Sequence, residues 1–230
     1  MPSLDQKDLE KILGVKVNNP DLYLSAFTHR SYLNENRSFA LPHNERLEFL
    51  GDAVLELAAT EYLYRNYPHP EGELTNFRSA LVNYKMLSDI ARRLSLEKFI
   101  LMSRGEAKDT GRARQVILAN CIEAVIGAMY LDAGYQVTTN FVAREVLVEL
   151  PKIIAGETYL DPKSRFQEII QEKRGLTPTY GVVSESGPDH NKLFVVAAYV
   201  GETEAGRGQG PSKQEGELAA AEDALKNNSF

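Results

Sequence analysis

The chain has 230 residues, of which 43% are hydrophobic and 25% are charged, a composition typical of globular domains with apolar cores of their own. Its single cysteine, Cys121, excludes an internal disulfide, and its four histidines include no pair at the spacing of zinc ligands. With 26 basic against 32 acidic residues the net charge is −6, so bulk charge does not indicate nucleic-acid binding, and any such function has to come from local patches.

The N-terminal part of the chain, from about Leu4 to Pro151, places apolar residues at steps of three and four, which predicts helices almost throughout. The helical segments indicated by this pattern are 4–13, 21–29, 46–67, 74–94, 115–134 and 137–150. Proline and glycine residues separate them, which is typical of helix ends. Residues 1–156 are therefore predicted to form an all-α domain.

The pattern changes after Gly156. A short helix is predicted over 164–175, and β-branched, alternating or apolar runs predict strands over 179–187 and 192–200. A third strand is expected within the glycine-rich stretch 201–210, and a closing helix over 213–226. The order is α-β-β-β-α, so residues 161–230 are predicted to form a small α+β domain joined by a short linker.

The longest apolar run, residues 116–131, is too short to span a bilayer and carries Asn120 and Glu123 inside it. The N-terminal segment has a charged, helical pattern without the features of a signal peptide. The sequence therefore predicts a cytoplasmic protein that does not associate with a membrane.

An acidic stripe runs along the helix predicted over 46–67 and the residue before it. At about 100° per residue, Glu45, Glu48 and Asp52 lie within about 60° of one another, and Glu56 continues the stripe. One interpretation is that these carboxylates simply face water. The other is that they form half of a functional site.

A second pair of polar residues favours a site. Asn120 and Glu123 lie one turn apart in a helix that is otherwise apolar all round and is therefore expected to be buried. A buried carboxylate costs several kcal/mol unless it is paired or bound to a metal. An arginine elsewhere, such as Arg46 or Arg78, is one possible partner.

The alternative packs the two polar stripes face to face, with Gly127 permitting the close approach of a partner helix. An all-oxygen cluster of this kind suits Mg²⁺ or Mn²⁺ bound together with a phosphate. This pattern indicates metal-assisted phosphoester chemistry.

Residues 44–55, NERLEFLGDAVL, resemble the characteristic motif of the bacterial ribonuclease III family almost position for position. Three further blocks are similar to that family's other motifs, in the same order along the chain: AFTHRSY (26–32), PEGELTNFRSALV (70–82) and ILANCIEAVIGAMYLDAG (117–134). Three C-terminal segments resemble a double-stranded-RNA-binding domain: residues 161–168, 178–196 and 208–225. The resemblance covers nearly the whole chain.

This resemblance implies an endoribonuclease that hydrolyses double-stranded RNA with Mg²⁺, for which Mn²⁺ can substitute, and that leaves 5′-phosphate and 3′-hydroxyl ends. It also implies a homodimer whose two sites cut opposite strands, with no small-molecule cofactor. The implied substrates are precursors of ribosomal RNA and structured messenger and transfer RNA transcripts.

The resemblance assigns roles to individual acids by motif position. The implied metal ligands are Glu48, Asp52, Asn120 and Glu123. Asp52 and Glu123 are the residues most needed for the chemical step. Glu45 and Glu71 match secondary acids that look toward the cleft, whereas Glu56 has no counterpart and is expected to be solvated.

One departure from the family pattern concerns Asn120, where aspartate is common. An amide oxygen ligates Mg²⁺ without contributing charge, so weaker metal binding is expected than with aspartate.

The C-terminal module has candidate RNA contacts in the three regions that the family uses. They are Gln167 and Glu168 on its first helix, His190 in the turn between two strands, and Lys213 near the start of the last helix. The usual second lysine is Gln214, a usual alanine is Gly216, and residues 157–230 hold 8 basic against 12 acidic residues. Modest affinity and a shallow salt dependence are therefore expected. A module whose RNA contacts have decayed is the alternative.

Two other functions are compatible with parts of the sequence. One is a non-catalytic, dimeric RNA-binding or ribosome-associated protein on the same fold, and the other is a metal-dependent phosphohydrolase acting on small nucleotides.

The basic residues around the loop 105–111 either flank the duplex or form a solvated loop of mixed charge.

Overall fold

The computed structural model describes residues 4–156, 159, 161–188 and 192–227. The chain divides into two compact units, Met1–Tyr159 and Leu160–Phe230.

The first unit is built of α-helices joined by short turns. In the described part they are α1 (Gln6–Leu13), α2 (Pro20–Ala26), α3 (Arg30–Glu35), α4 (Glu45–Asn66), α5 (Glu71–Val82), α6 (Tyr84–Arg93), α7 (Arg112–Ala133), α8 (Tyr135–Glu145) and α9 (Leu150–Ala155). Short 3₁₀ turns lie at Leu96–Phe99, Glu106–Lys108 and Leu147–Glu149. The predicted all-α character of this unit is confirmed.

Local sequence explains where several of these helices begin and end. Asp5 caps α1 by accepting a hydrogen bond from the amide of Asp8 at 3.1 Å, and Gly14 ends the helix with φ +67°. The segment 74–94, which has one continuous helical pattern, is divided between α5 and α6. Asn83 is extended there, and its side chain accepts from the amide of Met86 at 3.0 Å, which starts a new helix.

The core of the first unit surrounds α7. This helix is buried on most of its surface, because its apolar residues face α4 on one side and α2, α6 and α8 on the others. By length and composition α7 is the one helix in the described part that is long and apolar enough to cross a membrane. Since 61% of its most apolar window is buried within the unit, packing in the core accounts for that composition.

The second unit is a three-stranded antiparallel sheet with two helices. Its elements are α10 (Pro162–Arg174), β1 (Thr179–Ser186), β2 (Leu193–Val200), β3 (Thr203–Gly210) and α11 (Lys213–Asn227). The strand order is β1-β2-β3, and β1 is irregular between Val182 and Ser184, where the register shifts by one residue. The predicted α-β-β-β-α arrangement is confirmed.

Strand β3 packs very closely on α11. A Cβ atom added to Gly208 would lie 2.2 Å from the backbone nitrogen of Ala220, and one added to Gly206 would lie 2.3 Å from that of Ala224. Glycines in the strand and alanines in the helix therefore let the two backbones touch.

Candidate active site

The two helices that carry the predicted acidic residues cross at a pair of glycines. A Cβ atom on Gly51 of α4 would lie 1.7 Å from the carbonyl oxygen of Glu123, and one on Gly127 of α7 would lie 2.2 Å from that of Leu47. The backbones of α4 and α7 are thus in contact. Gly127 was expected to permit such an approach, whereas Gly51 was missed. A glycine inside a helix lowers helix stability by about 1 kcal/mol relative to alanine. Its presence at position 51 was therefore a signal that packing requires a residue without a side chain there.

This crossing brings Glu48, Asp52, Asn120 and Glu123 together. The side chain of Asn120 donates a hydrogen bond to Glu48. Burial raises the pKa of the Glu48 carboxyl above its usual range, the charges of Glu45 and Asp52 raise it further, and the bond from Asn120 opposes the shift.

Glu123 is the most perturbed acid of the cluster. Burial, followed by the negative charges of Asp52 and Glu48, raises the pKa of Glu123 to about 8. Asp52 is exposed on the same face of α4. The cluster therefore places three carboxyl groups close together, and at Glu48 and Glu123 burial disfavours the charged form.

One of the two arginines considered as a partner for Glu123 is engaged elsewhere. Arg78, one of the residues considered as a partner for Glu123, donates instead to the hydroxyl of Thr60 at 3.0 Å. Glu45 lies beside the cluster and faces Arg30 at 3.6 Å and His43 at 3.8 Å.

The donor set fits a divalent cation. Three carboxylates and one side-chain amide supply oxygen ligands of the kind that Mg²⁺ and Mn²⁺ prefer, and a cation would relieve the repulsion that raises the pKa of Glu123. Within the described ranges, no three His, Cys, Asp or Glu side chains are already grouped at metal-binding geometry. The four side chains therefore fit a divalent cation by the type and charge of their ligand atoms.

Glu71 is not part of this cluster. It begins α5, just after the C-terminal end of α4, and accepts a hydrogen bond from Thr75 at 3.1 Å. Glu48 lies in the first turn of α4, and the 22 residues of this helix span about 33 Å. The structure thus places Glu71 at the opposite end of the helix from the other acids, beside a cavity of about 840 Å³.

The remaining predicted residues are distributed as follows. Gln167 and Glu168 are exposed on α10, and Lys213 is exposed as the first residue of α11. His190 lies outside the described residues. Glu56 is exposed on α4.

Two of the basic side chains next to the loop 105–111 are already engaged in contacts within the domain. Arg114 forms an ion pair with Glu97 at 2.6 Å, and the guanidinium of Arg112 lies 5.5 Å from the centre of the Tyr84 ring. Lys108 is exposed next to Asp109 and Glu106.

A helical unit with a partly buried acidic cluster, followed by an α-β-β-β-α module, is the arrangement expected of a metal-dependent nuclease joined to an RNA-binding domain. The Ribonuclease-III-like family model matches residues 19–150, and the double-stranded RNA binding motif matches residues 162–228. The chain belongs to the ribonuclease III family. This confirms the family predicted from the motifs.

Curated relatives and a solved structure agree with this assignment. Ribonuclease 3 of Oceanobacillus iheyensis is 43% identical over 231 residues, which cover 98% of this chain and 100% of that protein. Ribonuclease 3 of Borreliella afzelii is 45% identical over 215 residues, covering 93% of this chain and 87% of that protein.

The nuclease domain of ribonuclease III from Campylobacter jejuni is 38% identical, with a TM-score of 0.57, over 64% of this chain and 99% of that one. Together these matches show that the protein is a double-strand-specific endoribonuclease of a family that requires a divalent metal ion. They favour this activity over the two alternatives considered from the sequence.

Proposed function

We propose that the protein uses Mg²⁺ held by Glu48, Asp52, Asn120 and Glu123 to hydrolyse double-stranded RNA to 5′-phosphate and 3′-hydroxyl ends. The observation that carries this proposal is the crossing of α4 and α7, which holds a partly buried acid of raised pKa, Glu123, against two other carboxylates. Asp52 and Glu123 are the residues on which the chemical step depends most.

The chain's own residues prepare the site in distinct ways. The backbone of Glu123 is fixed relative to α4, because its carbonyl oxygen lies against Gly51, so the side chain starts from a defined position beside the other acids. Asn120 orients Glu48 through its amide donor. Asp52, being exposed, remains accessible to water and to the substrate. When bound, the divalent cation supplies positive charge that offsets the growing negative charge on the phosphate and activates the attacking water.

The apolar surface of α4 supports a homodimer. Phe49 is 80% exposed and Leu57 57% exposed, and Leu57 borders an open cavity of about 300 Å³ that also involves Tyr130 and Tyr135. Exposed apolar groups of this size on one helix are typical of an interface. The Campylobacter jejuni structure concerns a region involved in dimer formation of that nuclease domain.

A two-fold dimer would give two sites related as the antiparallel strands of a duplex are. Glu71 is remote from the cluster of its own chain, so a role beside the metal would require that the two-fold axis bring it to the cleft of the second copy.

The RNA substrate would also be held by the second domain. Its contacts would come from Gln167 and Glu168 on α10, from His190, and from Lys213 at the positive N-terminal end of α11. Precursors of ribosomal RNA and structured messenger and transfer RNA transcripts are the proposed substrates, and the cytoplasm is the proposed location.

The experiment that tests this function compares Glu123→Gln with Glu56→Gln. Both variants replace a carboxyl group by an amide of the same shape, but Glu56 is an exposed residue of α4 outside the cluster. Purified wild-type and variant proteins are incubated with double-stranded RNA, single-stranded RNA and double-stranded DNA, each with Mg²⁺ or with chelator.

We expect cleavage of double-stranded RNA alone, only with the metal, and a fall of at least about 10²-fold in kcat for Glu123→Gln. Glu56→Gln should cleave within about twofold of the wild type. If Glu123→Gln cleaves at the wild-type rate, the assignment of the cluster is wrong. Products that carry a 3′-phosphate would contradict the proposed end chemistry.

A further inference from the structure

The edge of the second domain that carries Lys213 also carries an acidic residue, Glu185. Glu185 of β1 lies opposite Phe194 of β2, and Phe194 lies opposite Gly210 of β3. The first turn of α11 covers the end of this row. A Cβ atom on Gly210 would lie 2.8 Å from the backbone nitrogen of Gly216, and one on Gly216 would lie 3.4 Å from the carbonyl oxygen of Phe194.

Glu185 interacts with two lysines at this edge. Its Oε1 atom accepts a hydrogen bond from Nζ of Lys192 at 2.6 Å, and both side chains remain partly exposed. The bond from Lys192 and the charge of that residue hold the pKa of the Glu185 carboxyl below its usual range, and the charge of Lys213 contributes in the same direction. The carboxylate is therefore ionised at neutral pH and lies within electrostatic range of both cations.

We propose that Glu185 limits the affinity of this domain for double-stranded RNA by neutralising Lys192 and Lys213 at the surface where the RNA backbone would bind. The inference rests on the proposed role of Lys213 as a phosphate contact. A phosphate that approaches Lys213 is repelled by Glu185, and Lys192 has to leave its ion pair before it can contact a phosphate. Glu185 is then an affinity-setting residue that does not touch the reacting atoms.

The position of Glu185 was not predicted from the sequence. Residues 157–230 contain 12 acidic residues, and no pattern distinguishes the one that the sheet register places beside the start of α11. The strand register therefore identifies Glu185 as the acid whose removal should strengthen RNA binding.

The test uses the full chain, a short RNA duplex of about 20 base pairs, and chelator, so that binding is measured without cleavage. Glu185→Gln is expected to lower the dissociation constant about fivefold, because a unit charge next to a phosphate is removed. The slope of log affinity against log salt should steepen by about 0.9, since one more phosphate is neutralised. In cleavage assays with Mg²⁺, KM should fall while kcat stays unchanged.

Glu204→Gln is the matched control. Glu204 is also an exposed acid in an ion pair, with Arg207 at 2.8 Å, so its substitution changes the net charge equally and also releases a cation. Glu204 lies opposite Tyr199, whereas Glu185 lies opposite Phe194, five residues away along β2. The two acids are therefore about 17 Å apart along the strand direction. Glu204→Gln is expected to change the dissociation constant by less than about twofold.

A third variant, Lys213→Ala, separates failure of this inference from failure of the proposed function. If Lys213→Ala weakens binding while Glu185→Gln leaves affinity and salt slope unchanged, or weakens binding, the RNA surface is correct and the role of Glu185 is wrong. If Lys213→Ala has no effect, the assigned phosphate contact is wrong and the inference fails with it. An equal gain in RNA affinity for Glu204→Gln would mean that net charge alone explains the effect, and it would also overturn the proposal.

Discussion

The glycine crossing between α4 and α7 gives the most direct test of how the fold builds the site. Replacing Gly51 by alanine adds a single methyl group, which would lie 1.7 Å from the carbonyl oxygen of Glu123 and 2.8 Å from the backbone nitrogen of Gly127. An ordinary contact begins at 3.4 Å. The clashing atoms belong to the backbone, so no side chain can rotate away, and the two helices have to separate by about 1.7 Å at this point.

This displacement has two consequences of different size. Overpacking of a helix interface costs about 1 to 3 kcal/mol of unfolding free energy. Metal ligands tolerate errors of only about 0.2 Å, and a shift of about 1 Å in a catalytic group reduces rates about 10²-fold. Gly51→Ala is therefore expected to remain folded while its kcat on double-stranded RNA falls about 10²-fold or more, because Glu48 and Asp52 move with α4 and away from Glu123.

The assay combines cleavage kinetics at saturating Mg²⁺ with thermal unfolding. Gly72→Ala is the matched control, since a Cβ atom there meets nothing within 4 Å and Gly72 lies in the exposed first turn of α5. Alanine is the better helix former, so this control should gain about 0.5 to 1 kcal/mol and retain full activity. If Gly51→Ala cleaves and unfolds like the wild type, the crossing does not set the geometry of the acidic cluster.

Three further predictions concern separate parts of the molecule. Asn120→Asp should bind Mg²⁺ about tenfold more tightly in a calorimetric titration because it adds a charged ligand, and equal affinity would contradict the proposed metal set. Phe49→Glu should weaken dimerisation at least about 10²-fold in analytical ultracentrifugation, since each copy loses an apolar side chain worth about 1.5 to 3 kcal/mol; an intact dimer would place the interface elsewhere. Gly208→Ala should destabilise the second domain by about 1 to 3 kcal/mol, visible as faster hydrogen exchange in β3 and α11 of the full chain, whereas unchanged exchange would mean that this contact relaxes freely.

Much of the site was open to prediction because hydrophobic periodicity reports which helix faces are buried. An apolar helix with one carboxylate and one amide on the same side, residues 115–134, predicted that Glu123 lies beside other polar groups and away from bulk water, and in the structure it is partly buried. The acidic stripe from Glu45 to Asp52 indicated the facing surface. Both inferences depend on residues within one or two helical turns, where sequence spacing fixes relative position.

Other features depend on contacts between residues that are distant in sequence. The pattern over 74–94 does not change at Asn83, because both helices bury apolar faces with the same period. Only the cap that Asn83 forms on the amide of Met86 shows the break. The spacing of Glu71 gave no indication that it lies at the far end of α4 from the other acids.

The sequence by itself determined the two domains' fold classes, the family, and the identity of the acids that the family motif contains. The tertiary structure decided how closely those acids lie, through Gly51 and Gly127, and which acid of the second domain faces Lys192 and Lys213, through the sheet register. The physical reason is that periodicity encodes the environment of each face separately. The distance between two faces is set by the atoms that happen to meet where the elements cross.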